Sequence, residues 1–472
     1  MRRLVWAMIL LLAAELPASG APESGPAQPV VQPEKIPGKW KLAAQPLPPL
    51  AEIEKQRVVV TPVYGLYTWA GEYVQFRGDI KKVGWKSFRV GGPLDDEAMK
   101  AMAEDGVEVV KTLGLRDIDA KGEKKNRLDF KSDEEFLAAY VQGVERFLAR
   151  YGPDGTLFKE NPKLPNNPIK HVEIWNEPNF QYMIPDREPQ NEVQAERDAL
   201  YAKVLPAAYE AIKKKWPAVT VVGFGAGGSS RDDVRFVGNV FKKDPAKIAK
   251  SFDILSTHPY VNPVPPEANF VKSWGEYSVA GSLKDLRDIL KKNAAEKPIW
   301  YTECGWAVSK ADGGAFEMKP DQTTSPLLQA AYVVRMYALA MRLGVERCHI
   351  MYVSDADNYN AGFFARAGAW RPSAYAAQTM IKIMPNPKLT RVISDGENGY
   401  FAYMCDANWS WRQDRPPPPV IMAWNVAGPK TVEILNQQAR VTVTDMLGHS
   451  KEVETKGGIV TVQVGPCPVY IQ

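Results

Sequence analysis

Two glutamates stand where a pair of carboxylates could break a glycosidic bond. Glu177 follows the apolar run that ends at Trp175, and Glu303 ends the run Pro298–Glu303. Glycosidic cleavage needs one carboxylic acid on the leaving oxygen and one carboxylate at the anomeric carbon. Phosphoryl transfer by the same pair would also need a phosphate-binding loop or metal ligands. The pair therefore favours glycoside chemistry.

The histidines and the overall charge do not indicate a metal, another cofactor or a nucleic-acid partner. The chain has four histidines, and none stands at metal-ligand spacing from another, so we predict no metal and no other cofactor. The formal net charge of +4 produces no basic field, so no nucleic-acid partner is expected. A carbohydrate substrate fits this balance.

Eight β-rich runs alternate with helical stretches and position both glutamates. The runs are Val60–Tyr67, Ser87–Val90, Val107–Leu113, His171–Trp175, Val219–Phe224, Asp253–His258, Pro298–Glu303 and Arg347–Ser354. Strand–helix alternation indicates parallel strands with right-handed crossovers, and eight such repeats are what an α/β fold of the (β/α)8 TIM barrel type requires. An open doubly wound sheet is the alternative, but the segment Gly65–Gly71 lacks its phosphate loop.

Amphipathic helices separate these strands. Candidates are Asp133–Tyr151, Glu196–Trp216, Leu283–Ala295 and Pro326–Gly344, with Tyr375–Met384 as the final barrel helix. The active site of such a barrel lies at the C-terminal ends of its strands. Glu177 on strand 4 and Glu303 on strand 7 should therefore face each other across one pocket. Three further side chains end strands 2 and 6 beside them: Arg89, His258 and Tyr260.

The N-terminus has the features of an export signal. Arg2 and Arg3 precede the apolar run Leu4–Ala14, which is too short to span a bilayer, and small residues follow it at 18–21. We predict a signal peptide at 1–21, with an uncleaved membrane anchor as the alternative, and a Pro-rich linker at 22–52. The mature protein would then be secreted or periplasmic, without a membrane anchor.

The composition changes after Pro385. Short alternating runs follow at Tyr400–Cys405, Val420–Trp424, Thr431–Leu435, Val441–Asp445, Ile459–Val464 and Val469–Gln472. Such runs, separated by turn residues, predict a small antiparallel β-sandwich. The chain thus divides into a catalytic barrel at 53–387 and a C-terminal β-sandwich at 388–472, which either packs on the barrel or binds glycan.

The four cysteines allow two states. Cys405 and Cys467 both lie in the C-terminal segment and could form a disulfide in an exported protein. Four buried free thiols are an equally weighted alternative. The spacing of the cysteines does not separate these two states.

Motifs at three strand ends resemble clan A of the glycoside hydrolases. They are the segment Glu173–Asn179, which reads EIWNEPN, the pair Thr302–Glu303, and the segment His258–Tyr260, which reads HPY. The region after the first motif looks most like family 39 and its bacterial relatives, and less like families 5 and 30. The resemblance covers residues 62–472 and implies a retaining enzyme that cleaves β-glycosidic bonds by double displacement.

The resemblance assigns a role to each motif residue. Glu177 corresponds to the general acid/base, and Glu303 corresponds to the nucleophile. Asn176 corresponds to the residue that contacts the sugar 2-hydroxyl, and Arg89 to a strand-2 arginine that supports the nucleophile. His258 and Tyr260 on strand 6 correspond to the pair that surrounds the nucleophile.

The charges of these residues agree with the roles, although two have structural alternatives. Arg89 close to Glu303 would favour its ionised form. The negative charge on Glu303 would in turn keep Glu177 protonated as an acid. On residue type alone, Arg89 could equally anchor a barrel loop, and His258 could be a hydrogen-bonded core histidine.

Strand 8 departs from the clan pattern. Clan members often place a tryptophan there as a sugar platform, whereas this strand reads HIMYVS over His349–Ser354. Tyr352 is the expected substitute. Trp306 and Trp370 are further candidates for stacking on sugar because they follow strand ends, and either could instead fill the core.

Two other functions are compatible with the same sequence. A transglycosylase shares the covalent intermediate but passes the sugar to another sugar instead of to water. A non-catalytic carbohydrate-binding barrel would need one of the carboxylates to be missing, and both are present. Sugar identity, linkage, endo or exo action and oligomeric state do not follow from these residues.

Overall fold

The computed structural model describes residues 41–42, 49, 63–118, 123–228, 231–272, 275–356, 358–408 and 419–472 of the chain. The predicted signal peptide at 1–21 and nearly all of the predicted linker at 22–52 lie outside these residues, so both stay predictions. None of the described helices is long and apolar enough to cross a membrane.

Eight parallel strands close into a barrel, which confirms the predicted fold class. They are β1 (Tyr64–Trp69), β2 (Ser87–Gly91), β3 (Glu108–Leu113), β4 (His171–Ile174), β5 (Thr220–Gly227), β6 (Ile254–His258), β7 (Ile299–Cys304) and β8 (Cys348–Ile350). They follow one another around the barrel in chain order, and β8 closes the ring against β1. β2 and β6 are buried along their whole length, as parallel strands covered by helices must be.

The last barrel strand is shorter than its sequence pattern suggests. The run Arg347–Ser354 stays apolar from Ile350 to Val353, but β8 ends at Ile350. The backbone then pairs with the following loop, where the amide of Tyr352 donates to Ala361 and the amide of Phe363 donates to Tyr352. This loop pairing is buried as well, so the apolar pattern continues beyond the end of the strand.

Helices cover the outside of the barrel. They are α1 (Ala70–Val83), α2 (Asp96–Glu104), α3 (Leu115–Ile118), α4 (Asp133–Tyr151), α5 (Thr156–Glu160), α6 (Gln190–Lys215), α7 (Asp232–Lys243), α8 (Pro245–Ala249), α9 (Val279–Lys292), α10 (Pro326–Arg342) and α11 (Pro372–Ile383). Short 3-10 turns and strands outside the barrel occupy Arg127–Asp129, Pro320–Gln322, Lys41–Leu42, Ala268–Lys272, Gly275–Tyr277, Ala307–Val308 and Thr323–Thr324.

Capping residues explain where several helices begin. Ser132 caps α4 by accepting a hydrogen bond from the amide of Glu135, and α4 has its predicted bounds. Ser325 caps α10 in the same way, with a proline in its first turn. A proline also begins α11 at Pro372, three residues before the predicted Tyr375, because a fixed φ suits the first helical position.

Two antiparallel sheets form the C-terminal domain, which confirms the predicted sandwich. Its strands are β9 (Lys388–Glu397), β10 (Tyr400–Asp406), β11 (Pro419–Asn425), β12 (Lys430–Leu435), β13 (Arg440–Asp445), β14 (Ser450–Glu454), β15 (Ile459–Val464) and β16 (Val469–Ile471). One sheet has the order β9-β10-β11-β16-β13-β14, and β12 pairs with β15 in the other. Apolar side chains such as Ile421, Val443 and Val462 form the core of the domain.

Two strands of this domain were not predicted. β9 and β14 are the two edges of the larger sheet. Their sequences, KLTRVISDGE and SKEVE, are rich in charge and lack a clean apolar alternation. Charged edge strands are typical of sheets that resist pairing with other chains, and the same feature hides them from an apolar pattern.

A buried ion pair fixes the C-terminal domain to the barrel. Arg335 on α10 forms a two-pronged salt bridge with Glu267, which follows β6, and also donates to the carbonyl of Pro466. Trp424 on β11 donates its indole N–H to Glu267 over 2.9 Å. Because Arg335 and Trp424 are fully buried, the two domains share one polar centre inside their interface.

None of the four cysteines forms a disulfide, and all four are buried. Cys405 and Cys467, the pair considered from the sequence, are both unbridged. The sulfur atoms of Cys304 on β7 and Cys348 on β8 lie 3.8 Å apart. The thiols therefore contribute to the apolar packing of the molecule as small buried side chains.

We expect Trp424→Phe to lower the free energy of unfolding by about 1–3 kcal/mol, because it removes a hydrogen bond from a buried carboxylate and leaves a gap. Urea unfolding followed by circular dichroism measures the change. Trp370→Phe is the matched control, since Trp370 is half-buried and packs only through its ring. Equal losses in the two variants would contradict the role of Trp424 as an interface anchor.

Candidate active site

The C-terminal ends of four barrel strands meet in one polar cluster. β2 contributes Arg89, and the segment after β4 contributes Asn176 and Glu177. β6 and the turn after it contribute His258 and Tyr260, and β7 contributes Glu303. The structure thus brings together all six residues that the strand-end motifs indicated.

The chain bends sharply where it leaves β4. Trp175 and Glu177 adopt positive φ angles of 73° and 45°, which are uncommon for residues with a side chain. The amide of Glu177 donates to the carbonyl of Gly225 over 2.9 Å. The ring of Trp175 is buried against Phe136 and Tyr140 of α4. Packing and hydrogen bonding thus hold a conformation that brings the Glu177 carboxylate to His258.

Arg89 is the hub of the cluster. Its guanidinium is fully buried and donates to three acceptors: Glu173 at 2.7 Å, Glu303 at 2.5 Å and the side-chain oxygen of Asn176 at 2.6 Å. The ring of Tyr67 lies below it, with 4.8 Å between the guanidinium carbon and the ring centre. One cation thereby fixes the positions of two carboxylates and an amide.

Glu173 belongs to this cluster but was not predicted as a site residue. It is fully buried and also accepts hydrogen bonds from Thr112 at 3.0 Å and Ser256 at 2.8 Å. Burial raises the pKa of Glu173. The charge of Arg89, followed by that of His258, lowers it, and the net result is a pKa of about 2. Glu173 is therefore a permanent anion. A charged residue in a buried strand requires such a partner, and that was the available sequence signal.

Glu303 accepts a hydrogen bond on each of its carboxylate oxygens. Arg89 donates to Oε2, and the hydroxyl of Tyr260 donates to Oε1. Burial, and then the negative charge of Glu303, raises the pKa of Tyr260, so this hydroxyl keeps its proton. Together the two contacts set the orientation of the carboxylate.

Glu177 lies on the other side of the pocket, next to His258. The ring Nδ1 of His258 is 3.0 Å from Oε1 of Glu177, and the histidine is fully buried. One ligand atom from each of Glu177, His258 and Glu303 lies within 4.8 Å of the others. The two carboxylates are thus close enough to act on a single bond from opposite sides.

The same three residues could hold a metal ion by distance alone. Their present contacts suit a different use. Both oxygens of Glu303 already accept hydrogen bonds from Arg89 and Tyr260, and the Arg89 cation lies against one of them. A divalent cation at Glu303 would have to compete with that guanidinium for the same oxygen.

Aromatic rings line the mouth of the pocket. Tyr352 stacks on Trp69 of β1 with 4.7 Å between ring centres and also contacts Tyr67. Burial, and then the charge of Glu303, raises the pKa of Tyr352. Tyr182, which is 51% exposed, lines a neighbouring cavity together with Asn176. Trp69 and Tyr182 were not predicted; Trp69 ends β1, which was the available signal.

The two tryptophans proposed as stacking residues both pack against other parts of the protein. Trp306 is 1% exposed, and its indole N–H donates to the carbonyl of Val264, so it offers no open face to a sugar. Trp370 packs on Phe364 and on Tyr375 of α11. The expectation for Trp306 is corrected because position after a strand end does not determine which way a side chain points.

No protein-family model matches the chain, and a search of curated proteins finds no match. The fold is similar to that of a family 39 glycoside hydrolase from the gut symbiont Bacteroides cellulosilyticus WH2. The TM-score is 0.64 at 17% identity, over 87% of this chain and 81% of that one. The resemblance to family 39 indicated by the motifs is thus confirmed at the level of the fold.

Two further solved structures share this fold. A monomeric beta-xylosidase from Caulobacter crescentus CB15 matches with a TM-score of 0.52 at 15% identity, over 87% of this chain and 95% of that one. A family 51 alpha-L-arabinofuranosidase from Bifidobacterium longum matches with a TM-score of 0.56 at 12% identity, over 88% of this chain and 96% of that one. In both cases the match extends over nearly the whole of the other protein.

We expect Arg89→Met to lower the free energy of unfolding by about 3–5 kcal/mol, because it leaves Glu173 as an uncompensated buried charge. Adding Glu173→Gln should recover part of the loss, since the remaining group is neutral. Urea unfolding of the single and double variants measures both changes. The control is Arg440→Met, which removes an exposed ion pair and should cost less than about 1 kcal/mol. A double variant as unstable as the sum of its parts would contradict this coupling.

Proposed function

We propose that this protein is a retaining glycoside hydrolase that cleaves β-glycosidic bonds of an oligo- or polysaccharide. The observation that carries the proposal is the pair Glu177 and Glu303, whose carboxylate oxygens lie within 4.8 Å at the C-terminal mouth of a (β/α)8 barrel. Retaining enzymes hold their carboxyl groups about 5–5.5 Å apart, whereas inverting enzymes separate them by about 6.5–9.5 Å to admit a water molecule.

The first step is attack by Glu303 on the anomeric carbon. Arg89 and Tyr260 each donate a hydrogen bond to this carboxylate and set its orientation. Glu177 donates its proton to the leaving oxygen as the glycosidic bond breaks, and a covalent glycosyl–enzyme forms. The buried surroundings strengthen the hydrogen bonds that support the nucleophile.

The second step is attack by water on the glycosyl–enzyme. Formation of the ester removes the charge of Glu303, so Glu177 now acts as a base toward water. The contact with His258 keeps the Glu177 carboxylate in place through both steps. Breakdown of the ester returns Glu303 to its ionised form with net retention at the anomeric carbon.

Asn176 connects the hub to the substrate. Its side-chain oxygen accepts from Arg89, which turns the amide NH2 group away from the hub. That NH2 group is suited to donate to the sugar 2-hydroxyl, a contact that strengthens in the transition state. Tyr352 and Trp69 supply a stacked aromatic wall for the sugar ring.

The N-terminal sequence supports an extracytoplasmic site of action. The basic and apolar residues at 2–14 fit a signal peptide, so the substrate would be met outside the cytoplasm. Large glycans are available there without transport into the cell. We accordingly place the protein among secreted or periplasmic enzymes of polysaccharide degradation.

We expect the mature protein to release oligosaccharides from at least one member of a panel of plant, fungal and bacterial β-glycans. Glu303→Gln should lower the rate by at least about 10³-fold, and Glu177→Gln by about 10²–10⁴-fold, because each removes one of the two reacting carboxylates. Chromatography of the products measures the rates. A chelator should leave the wild-type rate unchanged.

The control is Glu97→Gln, which changes an exposed glutamate on α2 and should leave the rate unchanged. Release of product by Glu303→Gln at the wild-type rate would overturn the assignment of the nucleophile. Longer oligosaccharides among the products would identify transfer to sugar rather than to water.

We also expect the first product to keep the anomeric configuration of the substrate. Proton NMR of the reaction, read before the sugar mutarotates, distinguishes the two anomers. Retention is expected because the short separation between Glu177 and Glu303 leaves no room for a water on the far face. An inverted first product would exclude the double displacement while leaving glycoside cleavage in place.

A further inference from the structure

A second cavity opens beside the catalytic centre. Its volume is about 440 Å³, and it lies between the segment after β3 and the loop after β4. The walls include Asn176 and Tyr182 on one side and Arg116 and Lys125 on the other. A cavity of this size holds about one sugar residue with its hydration water.

The cavity is continuous with the reacting centre. Asn176 belongs to its wall and also accepts a hydrogen bond from the catalytic hub at Arg89. The ring of Tyr182 is about half-exposed. Burial, and then the charges of Glu177 and Glu303, raises the pKa of Tyr182. Tyr182 lines the cavity together with Asn176, which links the cavity to Arg89.

The side chains that line the cavity carry a net positive charge. Arg116 and Lys125 are exposed, and neither side chain forms a salt bridge within the described residues. Asp117 is the acidic residue of the wall, and its two oxygens are already engaged. One accepts from the buried ammonium of Lys111 at 2.7 Å, and the other accepts from the amide of Gly114 at 2.8 Å.

We propose that this cavity is a subsite for an anionic sugar residue adjacent to the bond that is cleaved, and that the substrate is therefore an acidic glycan. The guanidinium of Arg116 can pair with both oxygens of a carboxylate or sulfate, and Lys125 adds a second positive charge. Tyr182 can pack against the sugar ring. This inference rests on the proposed glycosidase function and names its substrate class.

The charges explain why the anion binds here and not between the two glutamates. The catalytic cluster places two carboxylates, Glu173 and Glu303, against its one cation, Arg89, so it repels a second anion. The neighbouring cavity has the opposite sign. An acidic chain therefore aligns with its charged residue in the cavity and an uncharged residue at the cleavage site.

The test is a binding assay with the full-length Glu177→Gln chain, which is expected to bind without rapid turnover. The probes are immobilised β-linked oligosaccharides in matched sets, each as a uronate, as its carboxyl-reduced neutral form and as a sulfated form. We expect at least one anionic probe to bind about 10-fold more tightly than its neutral partner at low salt, with the preference shrinking in about 0.5 M salt.

Substitutions locate the preference. Adding Arg116→Gln or Lys125→Gln should reduce the preference severalfold, while Arg116→Lys should keep part of it because the charge remains without the fork. Lys163→Gln is the matched control, since this exposed lysine precedes β4 at the opposite end of the barrel and should change nothing. Thermal unfolding confirms that each variant is folded.

Each outcome decides the proposal. A preference for uronate over sulfate, or the reverse, identifies the anionic group. Equal binding of neutral and anionic probes, binding of none, or a preference that survives both substitutions overturns the subsite. If the subsite is overturned but the wild type hydrolyses neutral glycans, the proposed glycosidase function is still supported. If the preference depends on Arg116 but no glycan is hydrolysed, the subsite is supported and the glycosidase function is contradicted.

Discussion

The arrangement of the catalytic pocket depends on one buried guanidinium. Arg89 has no contact with water, so its charge must be balanced inside the protein. Glu173 supplies the balance: Arg89 and Thr112 both donate to its Oε2, and Ser256 donates to its Oε1. With Glu173 fixed, Arg89 has its other N–H groups free to direct Glu303. The orientation of Glu303 is therefore set by fully buried groups.

A second buried arginine holds the C-terminal domain against the barrel. Arg335 pairs with Glu267, and Trp424 from the C-terminal domain completes the contact. Glu267 closes the loop that starts with His258 and Tyr260 at the end of β6. The C-terminal domain is thus anchored to the chain segment that supports both glutamates. Packing on the barrel explains why the domain is present without requiring it to bind glycan.

Much of this could be predicted from the sequence because it rests on local patterns. Parallel strands covered by helices must be apolar, which revealed all eight barrel strands, and the strand ends then revealed Glu177 and Glu303. The direction in which a side chain points depends on contacts with distant parts of the chain, which a local pattern does not contain. Trp306 follows a strand end yet points into the core, because Val264 offers an acceptor to its indole. Glu173 was overlooked because its partner Arg89 is 84 residues away along the chain.

If the protein cleaves glycans as proposed, the opposite charges of the two neighbouring pockets constrain which bond is cleaved. A neutral glycan could slide through the cleft and present many bonds to Glu177 and Glu303. An acidic glycan cannot, since the carboxylates repel its charged residue while Arg116 and Lys125 attract it. The glycan satisfies both sets of charges only when its anionic residue lies one residue away from the cleavage site. The spacing of charged residues along the substrate would then determine the lengths of the products, even though the two glutamates make no distinction between sugars.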